Sequence, residues 1–564
     1  MKKTGAQILC ESLINEGAEV IFGIPGGALL PLYDTFPQYP QLRHILFRHE
    51  QGAAHAADGY ARVTHKAGIC LATSGPGATN LVTGIANAYM DSSPVIALTA
   101  QVPRPLIGKD AFQEIDITGI TLPITKHNYL VTDTGDLAKV VKEAFYIATT
   151  GRPGPVLIDI PKDVQQEEVE FIYPEKVTLP GYKIISKGHA VQIKRAAELI
   201  NEAERPVIIA GRGVIISQAY NEIKEIAEKA QIPVITTLLG IGSFPENHIL
   251  SVGMMGMHGL AYANMAVQNA DLLIAIGMRF GDRATADTSG FAPHARIIHI
   301  DIDPAEIGKN IPVDIPIVGD VKNILKAMNR EIKQRDHLNW LSQLDQWRYE
   351  HPSLEIRQSD RLLPQYVIRQ IYETTQGDAT IVTGIGQNQM WAAQHFVYTK
   401  PNSFVSSGGL GTMGFELPGA IGVQVGRPEE TVWCIAGDGG FQMTIQELAT
   451  ITQENLAIKI AIINNSCLGM VRQWQELFYQ RCYVDTELWN PDFVKIAEAY
   501  NIPGIKVKHR EEVIPAIQSA MDYPGPFLID FVVDPEENVY PIVQPGQSLS
   551  KILESPTSEM ASKY

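Results

Sequence analysis

No apolar run in this chain approaches the roughly 20 residues that a bilayer-spanning helix needs, so a membrane-embedded function is not expected. Cysteine is scarce: five in 564 residues, at positions 10, 70, 434, 467 and 482. An odd number scattered in this way makes neither a disulfide framework nor a cysteine metal cluster. Basic charge is also short, with 46 lysines and arginines against 62 aspartates and glutamates and a net charge of −16. No basic run interrupts that balance, so nucleic acid is not an expected partner. The start, Met1-Lys2-Lys3-Thr4, carries no export or import pattern and runs straight into an amphipathic helical spacing. These absences together predict a cytoplasmic protein with reduced, mostly buried thiols.

What is present describes a soluble globular chain: 45% hydrophobic and 19% charged residues, as large buried sheets require. At 564 residues it is too long for one core, and three units fit the usual domain size best. Apolar strands alternate with helical segments throughout, which predicts an α/β chain of three doubly wound domains with parallel sheets. The expected boundaries are 1–165, 188–335 and 360–535, followed by an irregular tail over 536–564. The stretch 165–188 reads as a linker and 322–359 as a long, charged helical connector. The first and third units share a strand-helix rhythm, as a duplication would leave.

The most informative motif lies in the third unit, where Gly437-Asp438-Gly439 is followed after 24 residues by Asn464-Asn465. Residues 431–436 and 459–463 are short apolar runs of the kind that form buried parallel strands, with helical spacing over 444–455 between them. Asp438 and the asparagines therefore fall at neighbouring strand ends. A carboxylate and an amide oxygen placed there can share one hard cation, and Mg²⁺ commonly keeps phosphate oxygens in its octahedral shell. The glycines let the backbone approach such a ligand closely. Each half alone also fits a Gly-rich turn with an Asx cap; the interval and the strand-helix-strand setting favour the metal diphosphate.

In the first unit, a strand ending in Arg48-His49-Glu50-Gln51 opens an alanine-rich helix. A carboxylate at the C-terminal end of a strand sits where open α/β sheets place ligands. The flanking turns Gly23-Ile24-Pro25-Gly26-Gly27 and Thr73-Ser74-Gly75-Pro76-Gly77 lack dinucleotide spacing, which excludes a Rossmann fingerprint there.

These residues resemble the thiamine diphosphate (ThDP) enzymes. The resemblance implies that Asp438 and Asn465 are side-chain ligands of Mg²⁺, and that Cys467 offers its backbone carbonyl. It further implies that Gly437, Gly439 and Gln387 border the ThDP diphosphate, and that Glu50 exchanges a proton with the aminopyrimidine ring. Met413 would be the wedge that bends the cofactor; an unbranched, polarisable side chain suits that task.

Within that family, Asp110-Ala111-Phe112-Gln113-Glu114 and Gln473-Trp474 are similar to acetohydroxyacid synthase catalytic subunits. The likeness places Phe112 and Gln113 in the substrate pocket, Lys162 at its mouth and Trp474 as the residue favouring 2-ketobutyrate as second substrate. It extends to a flavin-binding middle unit, where Arg152, His258, Gly259, Arg279, Asp301 and Asp320 would contact FAD. Arginine suits a diphosphate through bidentate donation, and strand-end carboxylates accept from hydroxyls. In isolation those acidic residues also fit helix caps. Three positions depart from the family pattern: Asn388, Gly281 and Glu416.

The implied activity is decarboxylation of pyruvate and ligation of its two-carbon remainder to a second 2-keto acid. The products would be 2-acetolactate or 2-aceto-2-hydroxybutyrate, in branched-chain amino-acid synthesis. Because the family builds each site across two subunits, a homodimer or homotetramer is implied, with a separate small regulatory subunit as further partner. A catabolic acetolactate synthase or a pyruvate oxidase is the nearest alternative.

Overall fold

A computed structural model describes residues 1–555. Three six-stranded sheets organise the chain, and every strand pairing within them is parallel. The first holds β1 (Val20–Gly23), β2 (Arg43–Leu46), β3 (Gly68–Ala72), β4 (Val95–Gln101), β5 (His127–Leu130) and β6 (Val156–Pro161). The second holds β7 (Pro206–Ala210), β8 (Val234–Thr236), β9 (Ser251–Met254), β10 (Leu272–Ile276), β11 (Arg296–Asp301) and β12 (Ile315–Val318). The third holds β13 (Thr380–Thr383), β14 (Phe404–Ser406), β15 (Val432–Gly437), β16 (Lys459–Asn464), β17 (Gly504–Val507) and β18 (Phe527–Val532). The central strands are continuous apolar runs such as Leu272–Ile276, all buried, because helices cover both faces.

Strand order separates the sheets by kind. The first runs β2-β1-β3-β4-β6-β5 and the third β14-β13-β15-β16-β18-β17, the same order counted within each sheet. The shared rhythm of these two units is thus a shared topology. The middle sheet runs β9-β8-β7-β10-β11-β12, the order of dinucleotide-binding doubly wound folds, with its reversal between β7 and β10. No Rossmann glycine fingerprint announces that order in the sequence.

The outer units pack through two helices, α1 (Glu50–Thr64) and α2 (Glu416–Gly426). Glycine permits their approach: a Cβ on Gly59 would meet the Gly419 carbonyl oxygen at 2.4 Å, and one on Gly422 that of Ala56 at 1.9 Å. One core cluster consequently spans both sheets, from Phe22 and Ala57 to Ile421 and Phe441.

Three expectations are corrected. The 165–188 linker begins with structure: the helix Lys162–Gln166 precedes a strand, Glu168–Glu170, that pairs antiparallel with Lys2–Thr4. The connector over 322–359 is part of the middle domain. Ile324, Leu325 and Met328 are buried in its core, and Trp340 donates from Nε1 to the Pro206 carbonyl at 3.2 Å. The 536–564 tail is ordered rather than irregular where it is described. Ile542–Val543 and Ile552–Leu553 pair antiparallel, and Val543 and Leu549 join the core of the middle domain. Its apolar residues come as islands between Pro541, Pro545 and Gly546, a spacing without period. Residues 556–564 of that tail lie outside the described residues. Among the described residues no helix is long and apolar enough to cross a membrane.

Candidate functional site

Asp438 follows β15 and starts a short helix, Asp438–Met443, at the third sheet's own reversal between β13 and β15. Its carboxyl is buried, accepts from Asn490 Nδ2 at 2.6 Å, and is pushed up to about 6 by that burial. A cation in the site would offset the cost of the buried charge. Asn464 ends the neighbouring β16, and Asn465 follows it. Asn465 donates from Nδ2 to Gln387 Oε1 at 3.0 Å, which orients its Oδ1 away from Gln387, and that oxygen accepts from the Cys467 amide at 3.2 Å. Asn490 also donates to Asn464 Oδ1 at 3.0 Å, so one loop residue ties both strand ends together.

The donors here, a carboxylate, an amide oxygen and the backbone carbonyl of Cys467, are hard oxygens that fit Mg²⁺. Beside them Gly439 leaves a cradle. A Cβ there would meet Leu468 at 3.0 Å, Leu488 at 3.2 Å and the Met413 Cε at 3.5 Å. Met413 therefore leans over the turn that follows β15. Asn388, the first departure, is buried and donates to the Ile435 carbonyl at 3.0 Å, with Oδ1 against Gly437. Glu416 is buried against Gly384 and Gly440, its Oε2 without a partner, and desolvation pushes its carboxyl up to about 7.

Glu50 is the first residue of α1, one turn past β2, with His49 as N-cap. Half-buried, it accepts from Asn80 Nδ2 at 2.9 Å, and a Cβ on Gly77 would meet its Oε1 at 3.1 Å. Gln113 lies against the same turn, its backbone 2.9 Å from a Cβ on Gly75, and adopts a left-handed φ of 60°. Glu50, Asn80 and Gln113 thus form one cluster. Phe112 does not join it: in the single chain its side chain is 88% exposed. The loop that carries it is closed by Glu114, which accepts from the amides of Gly108, Lys109 and Ala111. Lys162, half-buried, opens the short helix after β6. No described hydrogen bond or ion pair joins Glu50 to Asp438.

Between the units lies a cavity of about 770 Å³. It gathers Arg152, His258, Arg279, Asp301, Asp320 and Trp474 from widely separated positions, and Gly281 lines it as well. It opens over the reversal of the middle sheet, where that topology places dinucleotides. Asp301 ends β11, and burial pushes its carboxyl up to about 6. Arg152 donates to Ser92 at 2.8 Å, Glu306 at 2.6 Å and Asp303 at 3.1 Å. His258 is half-buried, with Nδ1 enclosed and unpartnered, and desolvation holds its imidazole down at about 4, as a neutral ring. Gly259 stands beside the cavity in a backbone role: a Cβ would meet the Met255 carbonyl carbon at 2.4 Å. Size, sheet order and orphaned donors fit a dinucleotide such as FAD.

Trp474 sits on α3 (Gly469–Phe478), which follows the Asn464-Asn465 turn. Its ring meets Phe478 edge-on at 5.7 Å, and the Arg283 guanidinium lies 5.6 Å from its centroid. The sequence reading gives no role to Asn490, which lies in an aperiodic loop, nor to Arg212. For Arg212 a signal existed: an apolar strand followed by Gly211-Arg212-Gly213.

Comparison with known proteins agrees with this geometry. The family description "Thiamine pyrophosphate enzyme, N-terminal TPP binding domain" matches residues 3–120, the central-domain description residues 193–328, and the C-terminal TPP-binding description residues 384–531. The acetolactate synthase large subunit of Corynebacterium glutamicum is 50% identical over 563 residues, 98% of this chain and 90% of that protein. An acetolactate synthase of Mycobacterium leprae is 52% identical over 97% of this chain and 90% of its own. The large subunit from Porphyra purpurea is 47% identical over 100% and 98%. The chain belongs to the thiamine pyrophosphate enzymes and, among them, to the acetolactate synthase large subunits.

Proposed function

We propose that this chain is the catalytic subunit of a biosynthetic acetolactate synthase. It decarboxylates pyruvate and joins the two-carbon remainder to pyruvate or 2-ketobutyrate, giving 2-acetolactate or 2-aceto-2-hydroxybutyrate for valine, leucine and isoleucine synthesis. The observation that carries this reading is the delivery of Asp438 and Asn465 to adjoining strand ends on the same unit as α3, whose Trp474 closes a neighbouring cavity. Thiamine diphosphate, when bound, supplies the nucleophilic carbon that takes up a 2-keto acid and lets CO2 leave. Asp438, Asn465 and the Cys467 carbonyl hold Mg²⁺ against its diphosphate, with Gly437, Gly439 and Gln387 alongside. Glu50 would hold or exchange a proton where the pyrimidine ring would lie, and Met413, beside Gly439, would pack against the cofactor. Phe112, Gln113 and Lys162 position the keto acids, while Trp474 selects the longer second substrate. Arg152, His258, Gly259, Arg279, Asp301 and Asp320 bind FAD, whose place here is architectural.

The exposure of Phe112 supports a site completed across a homodimer or homotetramer. A small regulatory subunit is the further partner, and the cytoplasm the compartment. The test is product analysis of purified protein with Mg²⁺, thiamine diphosphate, FAD and pyruvate, with and without 2-ketobutyrate. 2-Acetolactate, joined by 2-aceto-2-hydroxybutyrate when 2-ketobutyrate is added, is the expected outcome. Acetyl phosphate or hydrogen peroxide as the main product would replace this reading with a pyruvate oxidase.

A further inference from the structure

We propose that Arg212 is a binding residue of the middle-domain crevice, its guanidinium taking the diphosphate of the bound dinucleotide; this rests on reading the cavity as an FAD site. Arg212 follows β7, the strand at which the order of the middle sheet reverses, and it lines the cavity. Its neighbours fix it there. The Gly211 amide donates to the Ile276 carbonyl at 2.8 Å and the Gly213 amide to the Gly277 carbonyl at 3.0 Å. A Cβ on Gly211 would meet the Gly277 oxygen at 2.3 Å, so the turn lies directly on the end of β10. The ends of the two strands at the reversal are thereby locked together, with Arg212 between the glycines.

The guanidinium is under-partnered for so enclosed a place. Of its five N–H donors, one reaches a hydrogen-bond partner, Ser93 Oγ at 3.1 Å, while Nε is buried with none. The acids nearby are already engaged. Arg62 binds Asp58 at 2.7 Å and Asp91 at 2.8 Å, and Asp91 also accepts from the Gly408 and Gly409 amides. Burial first, and then the charge of Arg62, hold the Arg212 guanidinium down at about 10, the sign of a cation short of counter-charge. Arg152, which sequence resemblance assigns to FAD, is by contrast engaged by Ser92, Asp303 and Glu306. A diphosphate at the reversal would supply two oxygens in the planar, bidentate arrangement that a guanidinium matches.

The experiment is fluorescence titration of the flavin-free full chain with FAD and, in parallel, with riboflavin, which carries no phosphate. For Arg212→Gln, FAD binding is expected to weaken at least about tenfold, the worth of a lost charge-assisted bond, with riboflavin binding unchanged. Arg212→Lys keeps the charge without the fork; it should bind FAD less tightly than the wild type and more tightly than Arg212→Gln. Should the Gln variant not fold, the Lys variant decides alone: weakened FAD with unchanged riboflavin supports the proposal, and wild-type FAD affinity overturns it. Equal loss of FAD and riboflavin in a folded variant would assign Arg212 to packing and overturn it too. A wild type that binds no FAD would overturn the reading of the cavity itself, a result separable from failure at Arg212.

Discussion

The proposed choice of second substrate rests on one side chain, Trp474. Its indole forms part of the cavity wall, held edge-on by Phe478 and faced by the Arg283 guanidinium. One methylene packed on an apolar wall is worth about 1 to 3 kcal/mol. Trp474→Leu shortens that wall, so the ratio of 2-aceto-2-hydroxybutyrate to 2-acetolactate formed from mixed substrates should fall about tenfold, with pyruvate-only turnover less affected; competition assays read this directly. At this scale the sequence is most legible for residues that meet their partners through a strand end, such as Asp438 and Asn465. It is least legible for Asn490, whose bonds to Asp438 and Asn464 come from a loop without period.

Between elements, a chain of buried amides connects Asn465, a proposed metal ligand, to the C-terminal segment. Asn465 donates to Gln387 Oε1, Gln387 donates to Gln473 Oε1 at 2.9 Å, and Gln473 exchanges two 2.9 Å bonds with the Val539 backbone. Three amides on separate elements thereby fix which way the Asn465 oxygen points. Replacing the outermost of the three amides, Gln473, should loosen Asn465 through Gln387 without touching it, and residues behind a metal ligand typically change metal affinity by about 10- to 100-fold. Gln473→Leu should therefore weaken Mg²⁺ binding in the presence of thiamine diphosphate by at least about tenfold in calorimetric titration, with saturating Mg²⁺ restoring part of the activity. The strands and helices that carry these residues are legible from apolar period, while the ordered tail is not. Val539, Ile542 and Val543 are buried against other elements, so no local pattern marks them.

For the whole molecule, buried titratable groups make stability depend on pH. Desolvation raises the carboxyls of Asp159, Glu416 and Glu447 to about 7 and that of Glu246 to about 8. A carboxyl raised in the folded state favours folding below its ordinary range, near 4, and that contribution is lost as pH climbs through the folded value. The buried imidazoles of His44, His55 and His258, lowered to about 4, act in the opposite sense, but their contribution is complete above their ordinary 6.5. Lys126 and Lys459, lowered to about 8, gain charge in the unfolded chain across the range above that. Between pH 6.5 and 7.5 the carboxyls dominate, so the Tm of the cofactor-free protein should fall across that window. Glu246→Gln, which still accepts from the Tyr398 amide, should flatten the fall. Assembly gives a second prediction at this scale. Glu50→Gln and Asp438→Ala should each be inactive alone, whereas co-refolded or co-expressed mixtures should regain activity, because one mixed dimer holds one intact site. Activity no higher than that of either variant alone would place both residues in a site within one chain.

The sequence by itself determined the α/β class, the division into three sheets and the strand-end placement of Asp438 and Asn465, because buried parallel strands and Gly-rich turns are written in local runs. The tertiary structure decided what those motifs meet. Only strand order sets a cavity over the reversal between β7 and β10, and only the folded chain leaves Arg212 Nε there without a partner. It also makes Gln473 a relay and leaves Phe112 in solvent. The physical reason is common to all of these. Burial, unsatisfied donors and exposure depend on residues hundreds of positions away, which no local period encodes.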